Sequence, residues 1–142
     1  MKEMTKAEYR EFLLRGTKTG KLATVRRDGR PHVVPIWYDL DGDALVFTTG
    51  EQSVKYKNMK RDPRVSITVD DQTPPYSYVM IEGTVSFSED PGELLRWATR
   101  IGGRYMGEDQ AEDYGRRNSA PGEVIVRIIP SKISAYKDVA GW

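Results

Sequence analysis

The residues best suited to chemistry lie in one segment near the middle of the chain, Phe47–Arg64. A predicted strand ends there with the hydroxyls of Thr48 and Thr49, and a predicted helix then begins with Ser53 and Lys55. A helix start presents unpaired backbone N–H groups and the positive end of the helix dipole. A capping serine and a first-turn lysine therefore favour an anion, and we interpret this segment as a candidate phosphate site.

The charge of this segment differs from that of the whole chain. The 142 residues include 22 basic and 21 acidic side chains, a formal net charge of +1. Between Glu51 and Arg64, five bases stand against two acids, a local charge of +3. Near-neutrality overall argues against a nucleic-acid partner, whereas the local excess suits one phosphate group. The alternative interpretation is that Ser53 is only a helix cap and that the lysines form a solvated face.

A second candidate stretch, His32–Tyr38, has a proline inside a predicted strand. Because Pro35 has no backbone N–H, we expect this strand at a sheet edge or against a ligand. Trp37 could pack on a flat ring, or it could fill the core or a subunit interface. For His32, a surface or structural role is favoured over proton donation.

The composition excludes several classes of catalytic site. The chain has no cysteine and one histidine, His32. Disulfides, thiolate metal clusters and thiol nucleophiles are therefore excluded, and a histidine zinc site or a Ser-His-Asp triad is disfavoured. No glycine-rich loop of the Rossmann or P-loop type is present. We expect no metal ligand and no catalytic side chain.

The elements that must position these residues are mainly strands. Six strands are predicted, over residues 21–26, 31–39, 44–49, 64–70, 76–88 and 123–136. Asp-Gly turns separate the first three, which predicts an antiparallel meander. The fifth strand should bulge or bend at Gly83, and the last should be broken at Pro130.

Helices are predicted between these strands and before them. The first covers 6–14, with Thr5 and Glu8 as a capping box, and should act as a lid or a plug. Another follows Ser53 and ends at Asp62-Pro63; two more lie between Asp90 and Asn118. This order predicts one mainly β domain over 1–142, a six-stranded antiparallel Greek-key β-barrel with inserted helices. No apolar run marks a signal peptide or membrane span, so we expect a cytoplasmic protein without a membrane partner.

Three stretches in order resemble the pyridoxamine-phosphate-oxidase-like split β-barrel proteins: Leu22–Tyr38, Thr48–Val65 and Val79–Val85. More narrowly, they resemble the branch that uses the deazaflavin coenzyme F420 in place of flavin mononucleotide (FMN). The string Lys-x-x-Asn-hydrophobe-x-Arg-Asp-Pro-Arg, after an Asp-Gly-Arg-Pro hairpin, carries most of this resemblance. The resemblance covers essentially the whole chain.

The resemblance implies a homodimer with two cofactor sites at the subunit interface, each built from both chains. It implies that hydroxyls and a lysine at the first inserted helix hold the cofactor phosphate, and that the ring lies along the strand containing Pro35. The cofactor-binding positions matched in this chain are Val34, Pro35, Ile36, Trp37, Thr48, Thr49, Ser53, Lys55, Asn58 and Tyr78.

The implied activity is hydride transfer from reduced F420 to a flat, conjugated small-molecule substrate. The completing proton would come from solvent, with Tyr78 or His32 as candidate donors. FMN oxidases of this family resemble one another in having cations near both ends of the ring-contacting strand, where this chain has Pro31-His32 and Ile36-Trp37. This departure favours F420. The alternatives are an FMN-dependent oxidoreductase and a non-catalytic protein that binds a cofactor or a tetrapyrrole.

Overall fold

The computed structural model describes residues 1–142 and places eight strands in one antiparallel sheet. The strands are β1 (Lys2–Glu3), β2 (Gly20–Val25), β3 (Pro31–Ile36), β4 (Asp39–Asp41), β5 (Ala44–Gly50), β6 (Arg64–Asp71), β7 (Ser77–Ser88) and β8 (Glu123–Lys137). The helices are α1 (Lys6–Leu14), α2 (Val54–Arg61), α3 (Pro91–Met106) and α4 (Ala111–Arg117), with a 3-10 turn at Glu108–Gln110. The mainly β class with inserted helices is confirmed. The structure has eight strands rather than six, because β1 and β4 are too short to show an alternating pattern.

Across the sheet the strands follow the order β3-β2-β6-β7-β8-β5-β4, and β1 pairs with β8. The predicted meander of the first three strands is wrong as a continuous unit, although both of its Asp-Gly hairpins form. β2 pairs with β3 as expected, but β5 pairs with β4 and β8. The β5–β8 partnership joins residues more than 70 positions apart, and no local turn signal encodes it. β3 lies at an edge of the sheet, which confirms the expectation drawn from Pro35.

β8 continues through Pro130, where a break was predicted. The register of β7 against β8 shifts by one residue between Glu82 and Gly83, so that Glu82 opposes Lys132 and Gly83 opposes Pro130. Ser131 is therefore the extra residue of a β-bulge, and its Oγ donates to the Glu82 carbonyl at 3.0 Å. The bulge accommodates a residue without an N–H inside a long strand.

The main core is an apolar cluster on one face of the sheet, with α1 packed into it. α1 begins at the predicted capping box of Thr5 and Glu8. Phe12 and Leu13 on this helix are buried in the cluster, so α1 is a plug. On the other face of the sheet, α3 packs Leu94 and Trp97 against Val46 and Ile125. None of the helices has both the length and the apolar composition needed to cross a membrane.

Gly83 has no space for a larger residue. A Cβ at this position would lie 2.2 Å from the backbone oxygen of Ile129. Because that oxygen belongs to a paired strand and cannot rotate away, Gly83→Ala should lower the free energy of unfolding by about 2–3 kcal/mol in urea denaturation. Gly92→Ala is the control, since its Cβ would meet nothing closer than 3.7 Å. Equal stability of the two variants would contradict this steric explanation.

Candidate functional site

One cleft, here termed the main cleft, joins the two stretches that the sequence singled out. It has a volume of about 410 Å³ and lies where β3 and β5 end and α2 begins. Its lining residues are Thr19, Pro35, Ile36, Trp37, Thr48, Thr49, Gly50, Lys55, Ile101, Asn118 and Glu123. The predicted phosphate segment and the predicted ring strand therefore face the same space.

A pair of hydroxyl groups forms one end of the main cleft. Thr49 is only 5% exposed, and its Oγ1 lies 3.0 Å from the Oγ of Ser53. Ser53 caps α2 as predicted, because its Oγ accepts from the Tyr56 N–H at 3.2 Å. The contact between the two hydroxyls uses one of their two protons. The other proton remains available to a ligand.

Lys55 follows this pair in the first turn of α2. It is half-buried and forms no ion pair. Burial lowers the pKa of Lys55, and the charge of Glu123 acts in the opposite direction. Burial raises the pKa of Glu123, with Lys55 and Arg117 opposing that shift. The two side chains influence each other across the main cleft without joining, so the Lys55 ammonium is available to an entering anion.

Aromatic residues of α3 and α4 hold the opposite wall. The Trp37 ring stacks on Tyr105 with centroids 5.3 Å apart and an interplanar angle of 5°. Tyr114 meets Trp37 edge-on at 5.7 Å. The Tyr105 hydroxyl donates to the Lys18 carbonyl at 2.7 Å and accepts from the Tyr38 N–H at 3.3 Å. Trp37 is therefore a fixed, flat wall of the main cleft.

A buried arginine on α3 supports this wall. Arg104 donates to the carbonyls of Tyr38 at 2.9 Å and Leu13 at 2.7 Å. Its guanidinium lies over the rings of Tyr38 and Tyr105, 4.8 and 5.2 Å from their centroids. The Asp39 Oδ1 lies 3.9 Å from the Arg104 Nη1, and the Arg104 side chain is 13% exposed. Arg104 thus ties the end of α1 and the chain between β3 and β4 to α3.

Six of the ten predicted cofactor residues line the main cleft: Pro35, Ile36, Trp37, Thr48, Thr49 and Lys55. Ser53 contacts it through Thr49. Val34 lies outside the lining, opposite Leu22 on β2. Tyr78 also lies outside it, on β7, where its ring is 5.9 Å from that of Tyr136.

His32 and Asn58 are neighbours of the same buried threonine. His32 opposes Thr24 in the β2–β3 pairing and lies outside the main cleft. Asn58 is buried and donates to the Thr24 hydroxyl at 3.0 Å. His32 is therefore not part of the main cleft of its own chain, and Asn58 fixes α2 on β2.

Asn58 also borders a second cleft, here termed the basic cleft, with a volume of about 550 Å³. Its lining residues are Arg26, Arg27, Asp28, Arg30, Val54, Lys57, Asn58 and Arg61. The one carboxylate, Asp28, pairs with Arg30 at 2.8 Å. Arg26, Arg27 and Lys57 form no ion pair. The short helix α2 therefore separates two cationic sites, with Lys55 in the main cleft and Lys57 in the basic cleft.

Sequence reasoning missed five lining residues of the main cleft: Thr19, Gly50, Ile101, Asn118 and Glu123. Glu123 reaches the main cleft because β8 pairs with β5, which sets it opposite Gly50. Ile101 and Asn118 are placed there by α3 and by the end of α4. Glu123 could have been found only by knowing that β5 pairs with β8, and no local sequence signal indicates this pairing.

The antiparallel sheet with inserted helices and the cleft between a strand edge and a helix start are the features of the split-barrel class of proteins. The sequence matches the pyridoxamine 5'-phosphate oxidase family over residues 5–137. The chain belongs to this family, and the resemblance seen in its sequence is confirmed.

Three known proteins are similar to this chain. The conserved hypothetical protein Rv2991 from Mycobacterium tuberculosis superposes with a TM-score of 0.84 at 30% identity, covering 95% of this chain and 86% of that one. An F420 reductase superposes with a TM-score of 0.69 at 34% identity, covering 87% and 94%. The 5a,11a-dehydrotetracycline/5a,11a-dehydrooxytetracycline reductase of Streptomyces rimosus is 37% identical over 62 residues, 41% of this chain and 44% of that protein's length. The last match thus spans less than half of the relative, and the two proteins named for an activity are reductases.

Loss of the Arg104 guanidinium should destabilise the fold. Arg104→Met removes the charged donor from the Tyr38 and Leu13 carbonyls, and because the Leu13 carbonyl keeps its bond from the Tyr38 hydroxyl, we expect a loss of about 2–3 kcal/mol in urea denaturation. Arg100→Met is the matched control: Arg100 approaches the same Asp39 at 3.5 Å, but its side chain is 56% exposed, so about 1 kcal/mol or less should be lost. Equal losses would show that the buried carbonyl bonds contribute little.

Proposed function

We propose that this protein binds coenzyme F420 in the main cleft and catalyses hydride transfer from the reduced coenzyme to a flat, conjugated organic molecule. The observation that carries the proposal is the placement of Lys55, without an ion-pair partner, and the Thr49–Ser53 hydroxyl pair in one cleft with the Pro35–Trp37 strand end. The first group suits a phosphate and the second a planar ring. The similarity to an F420 reductase over most of both chains supports the choice of coenzyme.

The side chains present fit the coenzyme's phosphate and ring. Lys55 would hold the phosphate with the free hydroxyl proton of Thr49 or Ser53, through charge-assisted hydrogen bonds. Pro35 lies on an edge strand and has no N–H of its own to satisfy there. A ring edge can therefore approach this part of β3 without leaving a proline donor unpaired.

The basic cleft favours F420 over FMN. F420 carries a tail of glutamate carboxylates beyond its phosphate, whereas FMN ends at the phosphate. Arg26, Arg27 and Lys57, which form no ion pair, offer cations for carboxylates on the far side of α2 from Lys55. We propose that the tail lies in the basic cleft, held by charge complementarity.

The bound coenzyme would supply the hydride, and the protein's own residues would control access and orientation. Trp37, held by Tyr105 and Tyr114, would admit flat molecules and exclude water from the ring side of the cleft. Tyr78 and His32 lie outside the main cleft lining. The substrate would gain one hydride from the coenzyme and one proton from solvent, a two-electron reduction.

A second copy of the chain is part of the proposal. The exposed apolar side chains of Val33, Val54 and Ile129 are surface that a partner could cover. The family resemblance implies that the partner completes each cofactor site. We propose a cytoplasmic homodimer that acts on a small molecule, without a nucleic-acid partner.

Equilibrium titration with F420 and FMN side by side tests the proposed cofactor. We expect F420 to bind more tightly and its affinity to fall more steeply with added salt, because the basic cleft contributes extra ionic contacts. Reduced F420 should then be oxidised when quinones or enones are added, as followed by its absorbance. Tight FMN binding with weak F420 binding would replace this proposal with the FMN-dependent alternative. Reduced F420 that stays reduced against the whole panel would favour a non-catalytic binding protein.

The phosphate site can be tested on α2 itself. Lys55→Ala should weaken F420 binding by about 1.5–3 kcal/mol, the usual loss for a charge-assisted hydrogen bond, and should leave the circular dichroism spectrum unchanged. Lys60→Ala is the control on the same helix, because Lys60 lies over the Phe87 ring, 5.2 Å from its centroid, and lines neither cleft. An unchanged affinity of Lys55→Ala for F420 would contradict the proposed phosphate site.

A further inference from the structure

We propose that Glu123 makes the main cleft discriminate against phosphate monoesters and accept phosphate diesters. This inference rests on the proposed function, since it requires the cofactor phosphate to lie beside Lys55. Glu123 would then be a specificity-determining residue that separates F420 from FMN by the charge of the phosphate, independently of the ring.

Glu123 is held in the main cleft by strand pairing with β5 and by a turn in its own segment. Its residue pairs with Gly50 in the β5–β8 register, and its N–H donates to the Ala120 carbonyl at 3.0 Å. The neighbouring Gly122 accepts from the Glu51 N–H at 2.8 Å. A Cβ on Gly50 would lie 3.8 Å from Glu123 Oε1, so the carboxylate lies beside the backbone that follows Thr49.

The carboxylate of Glu123 is not neutralised by a direct contact. Its side chain forms no hydrogen bond and no ion pair. Lys55 and Arg117 are the cations whose charge acts on it. The main cleft therefore presents one cation and one anion that remain apart, and an entering phosphate interacts with both.

The two charges have opposite effects on phosphate selectivity. A lysine alone would favour the more highly charged ligand, because Coulomb attraction grows with ligand charge. A nearby carboxylate repels the more highly charged ligand more strongly and so reduces that preference. FMN carries a monoester with a charge close to −2 at neutral pH, whereas the diester of F420 carries −1. Since the dianion also loses more hydration on entering, the opposed pair favours the diester.

The half-buried position of Glu123 strengthens this effect. Charges interact more strongly where water is partly excluded. The raised pKa of Glu123 has burial as its leading cause, which indicates that this site solvates negative charge poorly. A second negative group placed there is penalised more than it would be on an open surface.

The test is equilibrium binding of F420, FMN and riboflavin to the wild-type protein and to Glu123→Gln. Removing one negative charge should tighten F420 binding about threefold and FMN binding about tenfold, since the effect compounds with ligand charge. Riboflavin, which has no phosphate, should be unaffected. Glu89→Gln is the matched control, because Glu89 is exposed and lines neither cleft; it should change none of the three affinities.

Each outcome bears on a different statement. Equal effects on F420 and FMN, or a change in riboflavin binding of the same size, would overturn the role of Glu123 and leave the Lys55 site intact. Weaker F420 binding in Glu123→Gln would show that the carboxylate is a direct ligand, which also overturns the inference. If Lys55→Ala leaves both phosphorylated cofactors unaffected, the proposed phosphate placement itself fails, and the inference fails with it.

Discussion

The Arg104 guanidinium is the point at which three separate parts of the chain meet. It satisfies the Leu13 carbonyl at the end of α1 and the Tyr38 carbonyl between β3 and β4, while its own backbone belongs to α3. Losing a charged donor to buried carbonyls is costly, although the Leu13 carbonyl also accepts from the Tyr38 hydroxyl at 2.6 Å. The Tyr105 ring lies beneath the same guanidinium and stacks with the Trp37 ring. The flat wall of the main cleft therefore depends on an interaction that lies behind the wall, outside the cleft lining.

The helix α2 divides the local positive charge between two clefts. Its cap, Ser53, contacts Thr49 on one side, and Asn58 is bonded to the buried Thr24 on the other. These two contacts fix the rotation of the helix, so that Lys55 lines the main cleft and Lys57 the basic cleft. The charge count of this segment alone does not distinguish the two positions. Asn58 matters for the orientation of α2, and because it also lines the basic cleft, its predicted contact with the cofactor stays a prediction.

Local signals account for the parts of the structure that the sequence predicted well. The capping box at Thr5, the cap at Ser53 and the edge position of Pro35 each follow from a backbone requirement that one or two residues meet. Pairing between strands that are far apart in the chain accounts for the parts that the sequence did not predict. β5 joins β8 in place of β3, which brings Glu123 into the main cleft. Tyr78 was matched by motif alone, and its strand places it beside Tyr136. The local geometry of a short segment was predictable, whereas the neighbours contributed by distant segments were not.

The pairing of β5 with β8 has a consequence for how long the protein survives. The main cleft takes residues from Thr19 to Glu123, so it exists only after the last strand has joined the sheet. A ligand bound there recognises the finished fold and has no counterpart site in the unfolded chain. Occupancy by a ligand would therefore protect the folded state by mass action, and the empty protein would open more readily. The amount of this protein in a cell would follow the supply of its ligand even at a constant rate of synthesis.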